Sequence, residues 1–137
     1  MDAELKIPHN IAKKVRENAY AAYSNYQVGV ALKVKESDEW FAGCNVENVT
    51  NGASACAEYG ALMSCVAKLG PNIEIEALYV VTGGKITAPP CGVCLQFLNE
   101  FTKSDFPVYL ADPNQVVKTF MFSELLPQRY VREIMDS

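Results

Sequence analysis

The sequence has one histidine, His9. It precedes the first expected helix, has no spacing relation to the cysteines, and reads as a solvated residue. Positive charge is also scarce. Twelve Lys and Arg stand against sixteen Asp and Glu, for a net charge of -4 and a pI near 5.0. That balance, with no basic tract interleaved with aromatics, argues against a polynucleotide partner and for a small substrate. No apolar run approaches the length of a membrane span, so no membrane partner is expected. The first twenty residues lack the basic-then-apolar order of a signal peptide, and a cytoplasmic protein is expected. Repeats, low-complexity tracts and linkers are absent too. With 137 residues, half of them apolar, the chain reads as a single domain over 1–137 with a real core.

What the sequence does have is cysteine. Cys44, Cys56, Cys65, Cys91 and Cys94 make an odd number, and in a reducing compartment such residues serve more often as ligands, catalysts or core than as disulfides. Around them the chain reads as short alternating elements. Apolar spacing predicts a helix from Asn10 to Ser24 behind Pro8. Strands Val28 to Val34 and Trp40 to Val46 form a hairpin across the polar run 35–39. Ala55 to Leu69 reads as a helix stopped by Gly70-Pro71, followed by a buried strand Ile75 to Thr82 and a helix Gly92 to Phe101. Strands Val108 to Leu110 and Val116 to Met121 come next, then a last turn capped by Ser123 and running through Leu126. This order implies an α/β fold with a mixed sheet of about five strands and helices on both faces.

Two runs carry the chemistry: Cys56-Ala57-Glu58 and Pro90-Cys91-Gly92-Val93-Cys94. Three thiolates with a carboxylate nearby suit a catalytic zinc site, which needs three protein ligands, an open position and a proton carrier. Both runs fall at expected helix starts, where free N–H groups and the positive dipole end favour thiolates. Pro90 suits a first helical turn. One geometric condition applies. Residues two apart on a regular helix diverge, so Cys56 and Glu58 share a site only if Cys56 precedes helical geometry. The Cys91-x-x-Cys94 motif alone fits a redox pair as well as a metal pair, and the Cys-Ala-Glu run shifts the balance towards metal. Cys44 and Cys65 read as core residues.

Cys-Ala-Glu, then Pro-Cys-Gly-x-Cys, preceded by Asn-x-Glu-Asn at 45–48 and Tyr-Ser-x-Tyr-x-Val-Gly at 23–29, resembles the small homotetrameric cytidine deaminases. The resemblance runs from Tyr23 to Tyr130. It implies the three-layer α/β/α deaminase fold, one Zn2+ per subunit held by Cys56, Cys91 and Cys94, and Glu58 as the catalytic proton shuttle. The implied reaction converts cytidine and deoxycytidine to uridine and deoxyuridine with release of ammonia, in pyrimidine salvage. Asn45 and Glu47 would grip the ribose, Tyr26 would lie against the base, and the Ala57 backbone would hold the pyrimidine carbonyl. Plain core packing is the alternative for Tyr26, and a solvated strand face for Asn45 and Glu47. Rival readings of the whole chain are a deaminase of modified cytosine nucleosides such as blasticidin S, a non-catalytic zinc module, and a redox protein.

The chain departs from that family at two places. Where relatives carry arginine after the catalytic Glu and after the second cysteine of the Cys-x-x-Cys pair, this sequence has Tyr59 and Leu95. Three thiolates leave one zinc ion with net negative charge, so slower turnover or a displaced pH optimum is expected without a guanidinium to moderate it. Tyr130, beyond the Leu125-Leu126-Pro127 turn, stands where relatives carry a phenylalanine that reaches a neighbouring subunit; tyrosine there is similar to the blasticidin S deaminases.

Overall fold

A computed structural model describes residues 3–137. Five strands form one sheet: β1 (Val28–Val34), β2 (Trp40–Cys44), β3 (Ile75–Thr82), β4 (Pro107–Ala111) and β5 (Val116–Met121). Their order across the sheet is β2-β1-β3-β4-β5. Only the β3–β4 pair is parallel, as its crossover demands, since parallel neighbours cannot be joined by a tight turn. Helix α1 (Ala3–Arg16) covers one face, and α2 (Ala57–Leu69) with α3 (Gly92–Asn99) covers the other.

Side-chain alternation along the strands supplies both cores. On the α2/α3 face, Val30, Leu32, Leu78, Val80, Val108 and Leu110 pack with Leu62 and Leu98. The α1 face is thinner, built from Ala12, Ala31, Tyr79, Val81 and Ala111. Each large apolar side chain so buried contributes about 1.5–3 kcal/mol over exposure. Two glycines let the helices come close. A Cβ on Gly29 would lie 2.0 Å from the Ala12 carbonyl oxygen of α1, and one on Gly43 would lie 2.3 Å from the Ala57 carbonyl oxygen of α2. The second contact seats the start of α2 directly on β2, which locates the cysteine that precedes it.

Several expected boundaries moved. The first helix covers Ala3–Arg16 rather than 10–24, with Pro8 buried inside it. Leu5, Pro8, His9 and Ala12 form its sheet-facing stripe. Beyond Arg16 the chain is drawn away from helix by a parallel bridge between Tyr20 and Val46. His9 is not solvated but 4% exposed. The second strand stops at Cys44, which is half-buried rather than core; Cys65 is buried as expected. Pro90 lies one residue before the cap of α3 rather than in its first turn. A fourth helix, α4 (Phe122–Leu125), contains Ser123 instead of being capped by it. The cap role falls to Met121, whose N–H donates to Glu124 at 2.8 Å, while Ser123 Oγ donates to Asp105 at 2.5 Å. A fifth helix, α5 (Arg132–Met135), was not foreseen.

Candidate functional site

Cys56 and Cys91 occupy equivalent positions, each capping the N-terminus of a helix. Cys56 precedes α2 with φ -71° and ψ 158°, and Cys91 precedes α3 with φ -69° and ψ 166°. Both are extended, so the divergence of a regular helix does not apply to Cys56 and Glu58, and the condition set by the sequence is met. The sulfurs of Cys56, Cys91 and Cys94 all lie within 4.8 Å of one another, with Cys56 Sγ and Cys91 Sγ 3.9 Å apart. Tetrahedral zinc with Zn–S bonds of about 2.3 Å requires sulfur separations of about 3.8 Å. The donor set and spacing therefore fit one zinc ion.

Electrostatics divides the three thiols. Burial pushes Cys56 and Cys94 upward, and Glu58 adds to the effect on both. For Cys91 burial acts the same way but is outweighed by hydrogen bonds from the Cys94 backbone and side chain, from Cys56 and from the Val93 backbone, so its pKa is lowered. These backbone donors are the free N–H groups of the first turn of α3.

Glu58 is 5% exposed. Burial raises its pKa, opposed only by its own backbone N–H. It lines a cavity of about 260 Å³ together with Cys56, Cys91, Tyr26, Asn45 and Glu47. Ala57, first residue of α2, is buried in the same wall. All the site residues expected from the sequence thus reach one cavity except Cys94, which lies behind it as the buried member of the cysteine cluster.

Asn45 and Glu47 sit just past β2, where Val46 bridges Tyr20 on one side and Ala55 on the other. Those pairings keep the strand-like alternation that turns both side chains the same way. Asn45 is partly committed to the fold: its Oδ1 accepts the Val28 N–H at 2.8 Å and its Nδ2 donates to the Tyr26 carbonyl at 2.9 Å. An Asn amide can make four hydrogen bonds, so half its capacity braces the cavity wall and half is free for a ligand. Glu47 accepts the N–H groups of Tyr23 and Ser24, both at 3.0 Å, and the Ser24 hydroxyl. The Ser24 hydrogen bond is the main reason its pKa is lowered.

Ser24 was quoted in the sequence motif without a role, and the structure supplies one. Its oxygen accepts the Tyr26 N–H at 3.0 Å while its hydroxyl donates to Glu47, so one side chain sets both Tyr26 and Glu47. The turn depends on Asn25 at φ 57°, a left-handed conformation that Asn tolerates better than most residues. Tyr26 leans on the loop before Cys91, and a Cβ on Gly84 would lie 3.3 Å from its ring.

At the two positions where arginine was missed, Leu95 is buried and Tyr59 packs on Phe97 with ring centroids 4.1 Å apart. Burial, then the charges of Cys94, Cys56 and Cys91, raise the Tyr59 phenol pKa. An aromatic and apolar layer thus stands beside the thiols.

Residues 4–110 match the family described as the cytidine and deoxycytidylate deaminase zinc-binding region. The chain is 35% identical to a cytidine deaminase of Halalkalibacterium halodurans, over 99% of both chains. It is 34% identical to one of Sporosarcina psychrophila, over 97% of this chain and 94% of that protein. The crystal structure of a cytidine deaminase from Burkholderia pseudomallei superposes with a TM-score of 0.83 at 36% identity, covering 95% of this chain and all (100%) of that one.

Proposed function

Because this chain belongs to the cytidine and deoxycytidylate deaminase family, we propose that it catalyses the zinc-dependent hydrolysis of cytidine and deoxycytidine to uridine and deoxyuridine, releasing ammonia. The observation that carries the reading is the convergence of Cys56, Cys91 and buried Glu58 on one cavity of about 260 Å³ that also presents Asn45 and Glu47. Rival roles as a redox pair or a non-catalytic zinc module are not favoured, since Cys91 and Cys94 cluster with a third sulfur beside a carboxylate in an open cavity.

Cys56, Cys91 and Cys94 would hold the zinc, which when bound supplies the Lewis acidity that makes water a nucleophile near neutral pH. Glu58 accepts the proton of the attacking water as its oxygen bonds to C4 of the pyrimidine, and delivers it to N3. The same carboxylate then takes the second water proton from the C4 hydroxyl and gives it to the amine; C4=O forms as the C4–N bond breaks, and ammonia leaves with that bond's electron pair. A buried carboxyl with a raised pKa suits that exchange, because it takes up a proton more readily than an ordinary carboxylate. Water is consumed and no redox partner is needed.

Glu47 is held ionised by Ser24 and Tyr23, and accepts hydrogen bonds from ribose hydroxyls, with the spare Asn45 N–H beside it. The same negative charge disfavours a 5′-phosphate, so nucleosides are preferred over nucleotides. Tyr26 lies against the base, and the Ala57 backbone meets the pyrimidine carbonyl.

The chain acts as one domain over 1–137, in the cytoplasm, in pyrimidine salvage. It assembles as a homotetramer, supported by the apolar groove of about 610 Å³ at Tyr59, Val93, Phe97 and Phe101 and by exposed Met63 on α2. No helix among the described residues is long and apolar enough to cross a membrane. The test is ultraviolet absorbance on a panel of cytosine nucleosides with metal analysis: one zinc per chain and turnover of cytidine are expected. Zinc without turnover of any cytosine nucleoside overturns the proposal.

A further inference from the structure

Thr82 ends β3 on the face that carries Leu78 and Val80, and lines the same cavity as Glu58. It is 1% exposed, yet its hydroxyl has no hydrogen-bond partner among the described residues. Val80 and Val81 precede it, and valine has the shape of threonine without the hydroxyl. A buried hydroxyl left unpaired disfavours the unliganded fold, so a purely structural position would be better filled by valine. The orphaned group turns into an asset only when something entering the cavity completes its hydrogen bond.

We propose that the Thr82 hydroxyl is a substrate-binding group that hydrogen-bonds the pyrimidine at the buried end of the cavity; this rests on the deaminase reading above. The depth of the wall decides between base and sugar. Glu47, only half-buried, belongs to the more accessible part, whereas Thr82, Val80, Ala57 and Glu58 are all buried. The hydroxyl-rich sugar suits the accessible end, and the flat ring suits the buried end, where Val80 offers an apolar surface and Thr82 a polar atom. A hydroxyl both donates and accepts, so it can meet either the carbonyl or the amine edge of a cytosine. Its place at the carboxyl end of β3, next to parallel β4, is also where open α/β sheets receive ligands.

The experiment compares zinc-loaded wild type, Thr82→Val and Thr82→Ser. Cytidine and deoxycytidine kinetics are followed by ultraviolet absorbance, and thermal unfolding is measured with and without uridine. Thr82→Val is expected to unfold without ligand at the wild-type temperature or above it. Its kcat/KM falls roughly three- to tenfold on both nucleosides, its uridine-induced stabilisation shrinks, and Thr82→Ser restores both. Unchanged kinetics and uridine response in Thr82→Val overturn the inference. So does a lower unliganded Tm with the full uridine response kept, which makes the hydroxyl structural. A loss confined to cytidine also overturns it, because the hydroxyl would then be reading the ribose. If wild-type protein fails to turn over cytidine, the deaminase reading falls and takes this one with it; an active wild type beside an unaltered Thr82→Val removes this inference alone.

Discussion

His9 Nδ1 lies 2.6 Å from the Tyr79 hydroxyl, a bond that ties α1 to the central strand β3. The other ring nitrogen meets the Pro113 carbonyl at 3.0 Å, so Nε2 carries the proton and donates to Pro113, and Nδ1 accepts from the phenol. The one histidine of the chain is therefore a strut between layers, on the sheet face opposite the cysteines.

Tyr79 is fully buried, and burial, with Asp112 adding to it, pushes its phenol up to about 12. The folded state holds this proton more tightly than the unfolded chain, whose tyrosine titrates near 10. Stability is therefore expected to fall as pH rises from about 10 to about 12. Tyr79→Phe abolishes that contribution and leaves the His9 acceptor unpaired, at a cost of about 1–3 kcal/mol at neutral pH. Urea midpoints of both proteins at neutral pH and above pH 10 check this; parallel pH profiles count against it.

Glu58→Gln keeps the shape of the buried side chain and removes its proton chemistry. The variant is expected to fold and to bind one zinc per chain, while kcat falls by about two to four orders of magnitude. Metal analysis beside the rate measurement separates this from loss of the centre. Near-wild-type turnover would remove Glu58 from the reaction.

Zinc removal is expected to act on stability as well as rate, because the three sulfurs join the start of α2 to the start of α3. Binding at a hundred times Kd is worth about 2.7 kcal/mol, or roughly 10 °C in Tm for a chain of this size. Differential scanning calorimetry before and after chelation measures it. Cys91→Ser is expected to lower zinc content and to show little further loss on chelation.

Leu95 and Tyr59 are expected to answer differently to arginine. Leu95 is buried in the core, so Leu95→Arg must desolvate a guanidinium that the neighbouring thiolates offset only in part, and it is expected to cost stability. Tyr59 is half-buried at the edge of the groove proposed above as a subunit contact, so Tyr59→Arg is expected to keep the protomer fold and to offset the charge of the three thiolates, with gel filtration checking that assembly survives. That variant is expected to turn over faster or at a displaced pH optimum, read from rate-against-pH profiles. An identical profile would dispose of the charge argument.

The sequence by itself determined the donor set and the order of the elements. Cysteine and glutamate carry their chemistry as residue types, and a helix ending at Leu69 follows from local apolar periodicity and the Gly70-Pro71 stop; its start, read at Ala55, moves to Ala57 because Ala55 pairs with Val46. Only tertiary structure decided the rest. The first helix ends at Arg16 because Tyr20 pairs with Val46, a contact between distant parts of the chain that no local pattern contains. His9 is buried because Tyr79 and Pro113 offer partners for both its nitrogens. Ser24 and Thr82 were silent for the same reason. A short hydroxyl has no periodicity to announce it, and its meaning comes from what the fold sets beside it: Glu47 in one case, and in the other a cavity with no partner for it.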